Sequence, residues 1–198
     1  MPRSTIRDPD RRSFAALTRE HFGEVLTVDE VFELVGADGA SHQQPLSSAE
    51  APLWVGSIGY ERYRQNSDFA RQLLRWRVER LIDVRELPIS RRRGYAKTAL
   101  RLALANEGIE YIHVRALGNP KPIRDLYKSG SPREGRRLYE AHVLTEQRTA
   151  LSGLEALLRE KRSALMCVEH DPGICHRTAI IDLLRDALGL SLEPVHIG

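Results

Sequence analysis

Three consecutive side chains near the carboxyl end of the sequence are suited to nucleophilic or metal chemistry. Cys175, His176 and Arg177 bring a thiol, an imidazole and a guanidinium group to the predicted start of a helix. The unpaired backbone N–H groups and the dipole at a helix amino terminus favour an anion. We therefore expect a lowered pKa for the Cys175 thiol, with Arg177 or His176 assisting, and a nucleophilic or metal-binding role for the thiolate.

The second cysteine, Cys167, lies inside an apolar run that predicts a strand, so it also has a structural interpretation as a small buried hydrophobe. A metal site would draw on donors that zinc accepts: Cys167, Glu169, His170, Cys175 and His176. Seven residues separate the two cysteines, in place of the roughly two to four of a common zinc motif, so the sequence favours the absence of a metal. If a metal binds, the expected ligands are Cys167, Cys175 and His176, and the sequence itself requires no cofactor.

Further polar groups lie at or just after the carboxyl ends of the other predicted strands. Asp83 and Arg85 alternate on one strand and therefore share a face, which allows a structural ion pair. The alternative is a site in which Arg85 binds an anionic substrate and Asp83 serves as base or orienting carboxylate. The predicted strand ends place Tyr60, Ser90 and Arg91 at the edge of the same site. The sequence holds no Walker loop, dinucleotide-binding glycine fingerprint, His-Glu-x-x-His helix or phosphatase loop, so those chemistries are disfavoured.

Short apolar runs alternate with helical periodicity from Leu53 onward, which predicts βαβ units. Strands are expected at 53–58, 80–85, 109–114, 163–169 and 192–197. Helices are expected from Ser67, at 98–107, across 132–160 and from Cys175 to Leu188, with a long loop at 117–123. The order predicts an α/β fold, a three-layer sandwich with a mainly parallel sheet, in which ligands bind outside the carboxyl ends of the strands.

The predicted domains are an N-terminal extension and linker over residues 1–52 and the α/β domain over 53–198. Short amphipathic segments predict a small helical extension, and the polar, Gly/Pro-containing stretch at 36–50 predicts the linker. No apolar run approaches the roughly 20 residues needed to cross a bilayer, and the first residues lack the apolar region of a secretory signal. We expect a cytoplasmic protein with no membrane partner, whose cysteines are free thiols or metal ligands.

Positive charge is concentrated in two stretches. Arg85–Arg101 holds six basic residues against one acidic residue and Arg115–Arg137 holds seven against two, so each carries +5 while the chain carries +3. Both stretches lie beside the predicted site, and Tyr95, Tyr111 and Tyr127 are interleaved with the charges. The pattern favours nucleic acid or a nucleotide as partner over a merely solvated basic rim.

Six motifs occur in order along the predicted α/β domain: Gly56-Ser-Ile-Gly-Tyr, Asp83-Val-Arg-Glu-Leu-Pro-Ile-Ser-Arg, Gly108-Ile-Glu-Tyr-Ile-His, Leu117-Gly, Leu165-Met-Cys-Val-Glu and Cys175-His-Arg. Together they resemble the prokaryotic domain-of-unknown-function family 488 (DUF488), from about Trp54 to Ile197. The resemblance implies an α/β domain whose family pattern marks Asp83, Arg85, Pro88, Ser90, Cys167, Glu169, Cys175, His176 and Arg177. It implies no reaction.

These observations favour an enzyme that processes nucleic acid or a nucleotide, as a hydrolase and with modified bases among its substrates. The candidate catalytic residues are Asp83, Glu169, Cys175 and His176. The candidate substrate-binding residues are Tyr60, Arg85, Ser90, Arg91, Arg92, Arg93, Tyr95 and Arg177. The arginines would hold phosphates, and Tyr60 or Tyr95 would stack on a base turned out of its helix. Two alternatives stay open: a non-catalytic nucleic-acid-binding module, and a thiol-based redox or metal-sensing protein.

Overall fold

The computed structural model describes residues 51–198, so the predicted N-terminal extension, apart from its last two residues, lies outside this range. The elements are β1 (Leu53–Gly59), α1 (Asn66–Arg75), β2 (Arg80–Asp83), α2 (Lys97–Ala105), β3 (Glu110–His113), α3 (Lys121–Lys128), α4 (Pro132–Glu146), α5 (Arg148–Glu160), β4 (Ser163–Cys167), α6 (His176–Leu188) and β5 (Leu192–Ile197). Single 3-10 turns lie at Arg115–Leu117 and Pro172–Ile174. Within the described range, no helix has the length and apolar character needed to span a membrane.

The strands of this range form one sheet in the order β3-β2-β4-β1-β5, and every neighbouring pair is parallel. Parallel neighbours need a crossover connection, and each connection here contains at least one helix. The central strand β4 pairs with β1 on one side and with β2 on the other. The register sets Cys167 beside Gly59 and Met166 beside Asp83. The predicted α/β fold with a parallel sheet is confirmed.

Both faces of the sheet are covered by helices, and each face has its own core. On one face Val55 and Leu165 pack with apolar residues of α4, α5 and α6. On the other face Ile58 and Met166 pack with apolar residues of α1 and α2. Since successive side chains of a strand point to opposite faces, a strand buried on both sides is apolar throughout. The result is the predicted three-layer sandwich.

Two predicted segments between β3 and β4 differ from the structure. The helical region expected at 132–160 consists of two helices, α4 and α5, which meet at Gln147. The loop expected at 117–123 is shorter, because α3 begins at Lys121, so the prediction was wrong for its last three residues. Pro122 is compatible with this helix because it lies in the first turn, where a backbone N–H has no intrahelical partner.

Some element ends also differ. The strand predicted to reach Arg85 ends at Asp83, because the Arg85 backbone N–H donates to the Asp83 carboxylate at 3.0 Å instead of to a neighbouring strand. The strand predicted to reach Glu169 ends at Cys167. Ser67, the predicted cap of α1, lies in its first turn, and Gln65 is the cap.

The connections that follow β1 and β4 leave the sheet on opposite faces. The two strands are neighbours, yet α1 packs on one face and α6 on the other. In an open parallel sheet such a divergence leaves a crevice at the carboxyl ends of the two strands, where ligands bind. The candidate site lies at this crevice.

Candidate functional site

Two thiols and one imidazole meet at the carboxyl end of β4. Cys167 is the last residue of that strand, Cys175 is the N-cap of α6, and His176 is its first residue. The Nδ1 atom of His176 lies 3.9 Å from the Sγ atom of each cysteine, and the three donor atoms lie within 4.8 Å of one another. All three residues are buried, and neither cysteine forms a disulfide. The turn at Pro172–Ile174 brings the start of α6 back to the strand end.

The orientation of the His176 ring is set by the residue that follows β2. Its Nε2 atom lies 2.9 Å from the main-chain carbonyl oxygen of Val84. A carbonyl oxygen can only accept, so Nε2 carries a hydrogen and donates it, and Nδ1 faces the thiols. Tyr139 packs edge-on against the imidazole, and its hydroxyl donates to the Leu117 carbonyl at 2.6 Å.

Arg177 and Glu169 complete the surroundings of Cys175. The Nε atom of Arg177 donates to the Cys175 sulfur at 3.2 Å, and its Nη2 atom donates to the main-chain oxygen of Glu169 at 2.6 Å. The Cys175 sulfur lies 3.3 Å from Oε2 of Glu169. The thiol is therefore held between a guanidinium group and a carboxyl group.

The path of the chain at Glu169 depends on a glycine in the neighbouring strand. A Cβ atom at Gly59 would lie 1.8 Å from the main-chain oxygen of Glu169. Only glycine leaves room for a backbone approach of this kind. The contact continues at the next residue, where the Tyr60 N–H donates to the carbonyl of Cys167 at 3.2 Å.

These contacts change the ionisation of the cluster. Burial opposes a charge on Cys175, but the hydrogen bond from Cys167 and the positive charges of Arg177 and His176 outweigh it, so the pKa of Cys175 is well below its ordinary value. The hydrogen bond to Cys175, followed by burial, raises the pKa of Cys167 well above the ordinary thiol value. Burial, and then the charge of Cys175, raise the pKa of Glu169. Burial disfavours the charged His176 ring, yet its hydrogen bond with Cys175 raises the pKa overall.

Asp83 and Arg85 form a buried ion pair at the end of β2. The Nη2 and Nε atoms of Arg85 donate to the Asp83 carboxylate at 2.6 and 2.9 Å, and the Tyr111 hydroxyl donates to the same carboxylate at 2.6 Å. The remaining Nη1 atom of Arg85 donates to the main-chain oxygen of Tyr95 at 3.0 Å. This geometry is that of the structural ion pair which the sequence allows, and a carboxylate that already accepts four hydrogen bonds is poorly placed to serve as a base.

Two adjoining cavities open at this end of the sheet. The thiol cavity, of about 560 Å³, is lined by Cys167, Glu169, Cys175 and His176 together with the cations Arg85, Arg124 and Lys128. The arginine cavity, of about 730 Å³, is lined by Tyr60, Glu61, Ser90, Arg91 and Arg92. Ile89, Lys128 and Val168 line both cavities, so one extended ligand could occupy the two cavities together.

Two buried polar atoms in the wall of the thiol cavity have no hydrogen-bond partner among residues 51–198: the Tyr127 hydroxyl and Oδ1 of Asn119. Burial, followed by the charge of Cys175, raises the pKa of Tyr127 to about 12, so the hydroxyl remains a donor at neutral pH. Buried polar atoms are nearly always paired in folded proteins. These two atoms therefore mark positions for a polar ligand or for water.

The family model described as "Domain of unknown function DUF488" matches residues 65–184, more than half of the chain. The chain belongs to this family. The matched range is narrower than the resemblance from Trp54 to Ile197, but it includes both cysteines and the Asp83–Arg85 pair of the DUF488 domain. No curated protein and no solved structure shows a significant match.

The structure of this DUF488 domain brings most of the predicted site residues together. Of the candidate catalytic residues, Glu169, Cys175 and His176 line the thiol cavity, whereas Asp83 lines neither cavity. Arg85 lines the thiol cavity, and the arginine cavity receives Tyr60, Ser90, Arg91 and Arg92. Three candidate binding residues line neither cavity: Arg93, which is exposed, and Tyr95 and Arg177, which are buried.

The two tyrosines expected to stack on a base offer it no exposed ring. Tyr95 is completely buried, and its ring stacks on Tyr60 with the centroids 4.5 Å apart. Tyr60 is also buried, and the Arg85 guanidinium lies 5.2 Å from its ring centroid. Arg92 is partly committed as well, because its Nη1 atom donates to the main-chain oxygen of Tyr63 at 2.7 Å and to that of Glu61. A base could stack on either tyrosine only after a rearrangement of the core.

The thiol cavity has an apolar rim that was not predicted from the sequence. Leu87, Ile89, Val168 and Ile174 line this cavity and expose 50%, 72%, 36% and 45% of their surface. The only signal in the sequence was their position beside polar candidates in loops that follow strands. The apolar rim gives the DUF488 site a surface that an uncharged, flat group could contact.

The cations of the site differ in their pairing. Arg124 donates to the Glu86 carboxylate at 2.7 Å. Lys128, which lines both cavities, and Arg91, which lines the arginine cavity, form no ion pair within the described part of the chain. Lys128 lies in the second basic stretch, which the sequence places beside the site, but it was not among the predicted binding residues. Both side chains can therefore bind an anion without breaking an ion pair to a described residue.

Proposed function

We propose that this protein is a cytoplasmic hydrolase of nucleic acid or nucleotides that works at the thiol cavity. The proposal rests on the composition of the cavity walls, where Cys175, Glu169 and His176 share one space with Lys128, and Arg91 lies in the adjoining arginine cavity. Groups able to attack an electrophile or transfer a proton thus lie beside groups that attract a phosphate. A reducing cytoplasm fits two cysteines that are close together and unbonded.

A substrate that carries both phosphate and base is supported by two further features. Lys128 and Arg91 form no ion pair with the described residues, so a phosphate can bind them without displacing a carboxylate. The apolar rim offers a surface for the faces of a base, while the Tyr127 hydroxyl and Asn119 Oδ1 offer one donor and one acceptor. A small neutral metabolite would leave the cations unused.

Hydrolysis at Cys175 can follow either of two routes. The sulfur, which accepts from Arg177 at 3.2 Å, can attack the substrate directly as a thiolate, or it can bind a metal ion that activates water. Glu169 lies 3.3 Å from the sulfur and can take or return a proton in both routes. Both routes therefore use Cys175 and Glu169.

The test uses purified full-length protein with labelled single- and double-stranded DNA and RNA, containing normal and modified bases, and with free nucleotides. We expect salt-sensitive binding and product formation. Cys175→Ser should retain binding and lose turnover by about 100-fold or more, because it removes the thiolate but no phosphate contact. Binding without product by the wild type would favour the non-catalytic module, and neither binding nor product would refute the proposal.

The role of the cations is tested with two double variants that remove the same charge. Arg91→Ala with Lys128→Ala should reduce the slope of log binding constant against log salt by about 1 for each lost phosphate contact. Arg75→Ala with Arg101→Ala is the matched control, since both side chains are exposed and line neither cavity. Equal effects of the two pairs would assign binding to general positive charge and not to the cavities.

A further inference from the structure

We infer that Cys167, Cys175 and His176 form a binding site for one zinc ion, with a fourth coordination position open to the thiol cavity. The two Sγ atoms and Nδ1 lie within 4.8 Å of one another. Tetrahedral zinc, at about 2.3 Å from sulfur and about 2.0–2.1 Å from nitrogen, places S and N about 3.6 Å apart. Both S···N distances are 3.9 Å and need to shorten by only tenths of an ångström, while the two sulfurs, which lie within 4.8 Å of each other, would approach to about 3.8 Å.

His176 is oriented as a ligand by a residue outside the cluster. Its Nε2 hydrogen is donated to the Val84 carbonyl at 2.9 Å, so Nδ1 is the ring nitrogen directed at the two thiols, and a metal ion would bind it in place of a proton. Metal-bound histidines usually donate their other ring N–H to a carbonyl or carboxylate in this way. The edge-on contact with Tyr139 further restricts the ring.

The formal charges of the site also suit a divalent ion. Two thiolates neutralise the formal charge of one zinc ion, so the ion and its ligands together add no net charge to the buried site. Two thiolates and an imidazole are soft and intermediate donors, which select zinc over magnesium or calcium. The N–H···S contact from Arg177 at 3.2 Å supports the Cys175 thiolate from outside the coordination sphere.

Three protein ligands beside an open space are typical of catalytic zinc sites, whereas structural sites have four. All three ligands line the thiol cavity, which gives the ion a route of access and leaves room for water. Glu169 lies beside this donor group without belonging to it.

The reaction step rests on the proposed function, whereas zinc binding does not. Zinc-bound water passes a proton to Glu169, and its oxygen forms the new bond to the electrophilic atom of the substrate. The bond to the leaving group then breaks with its electron pair, and Glu169 returns the proton to that group. No oxidant or reductant is required.

The inference is tested by the metal content of full-length protein supplied with zinc and by replacement with cobalt(II). We expect about one zinc ion per chain by elemental mass spectrometry. The cobalt form should show the visible bands of tetrahedral cobalt and a sulfur-to-cobalt charge-transfer band in the near ultraviolet. A zinc content near zero, or a cobalt spectrum without the charge-transfer band, would overturn the inference.

Variants then locate the ion. Cys167→Ser and Cys175→Ser should each reduce the charge-transfer band, and His176→Gln should weaken zinc binding by about 100-fold or more. His170→Gln is the control, because His170 is close in sequence but outside the donor group, and it should bind zinc as the wild type does. Circular dichroism checks that each variant folds, and if one does not, the wild-type cobalt spectrum still decides.

Other outcomes separate this inference from the proposed function. Zinc retained by all three ligand variants, or metal-free protein with a disulfide between Cys167 and Cys175, would overturn the zinc site. Stoichiometric zinc without turnover of any nucleic acid or nucleotide would support the site and remove the proposed function. Turnover by protein that binds no zinc would support the proposed function and overturn the zinc site.

Discussion

Asp83→Asn keeps the shape of the side chain at the end of β2 but removes its negative charge. In the wild type the carboxylate accepts from the backbone N–H, Nε and Nη2 of Arg85 and from the Tyr111 hydroxyl. The Asp83 and Arg85 side chains expose 0% and 3% of their surface. Asparagine would direct an NH2 group, itself a donor, at these donors and would leave a buried guanidinium without a counter-charge.

The expected loss of stability is large. Removing one partner of a buried ion pair costs about 3–5 kcal/mol, since the other charge remains buried. That is a major fraction of the roughly 5–15 kcal/mol by which a domain is stable. A loss of about 4 kcal/mol, with an m-value of about 2 kcal/mol per M, lowers the urea midpoint by about 2 M.

Urea unfolding followed by circular dichroism at neutral pH measures this loss. Asp68→Asn is the matched control, because it makes the same chemical change in an ion pair with Arg71 whose side chains expose 48% and 69%. The control should lose less than about 0.5 kcal/mol. A loss for Asp83→Asn no larger than that of the control would refute the conclusion that the buried pair stabilises the end of β2.

Three further predictions concern the packing and titration of the domain. Gly59→Ala should lower the free energy of unfolding by about 1–3 kcal/mol or more, because its Cβ would collide with the Glu169 main chain. Gly153→Ala is the control: its Cβ meets nothing within 4 Å, so it should stabilise α5 by up to about 1 kcal/mol. Thermal unfolding measures both, and shifts of the same sign would contradict this prediction. Tyr139→Phe should lower the free energy of unfolding in urea by about 1–3 kcal/mol, since it leaves the buried Leu117 carbonyl without its hydrogen-bond donor. An unchanged free energy would mean that water replaces the hydroxyl. Burial lowers the pKa of His113 in the folded protein. Below the ordinary histidine pKa of about 6.5, the unfolded chain therefore binds a proton that the folded chain does not, and the free energy of unfolding should fall as pH falls through that range. A His113→Gln variant whose stability falls equally steeply would exclude this residue as the cause.

The order of strands and helices could be predicted because apolar patterning is a local property of the chain. The continuous apolar run of β4 and the bounds of β5 at Leu192–Ile197 are as expected. α3 was not predicted, because two prolines at 120 and 122 resemble a loop. Proline is compatible with the first turn of a helix, and the sequence alone does not show which of the two applies.

The site could be predicted only as far as the strand ends determine it. The meeting of Cys167 and the start of α6 follows from a turn of a few residues, whereas the bond from His176 to Val84 joins residues 92 positions apart. The latter exists because β4 lies next to β2, and no local pattern encodes that neighbour. The spacing of the cysteines argued against a metal because common spacing rules describe ligands on one short loop. In the proposed zinc site one ligand would end a strand and two would begin a helix.

The central position of β4 also has a consequence for biosynthesis. A growing chain makes β1, β2 and β3 first, but β1 pairs only with β4 and β5 among the described strands, so β2 and β3 are left as a two-stranded pair. Two strands alone are marginal in water, and the sheet can close only when β4 enters between neighbours that are already present. The described sheet therefore cannot be completed until β4 has been synthesised, and a chain that ends before β4 contains neither a complete sheet nor either thiol.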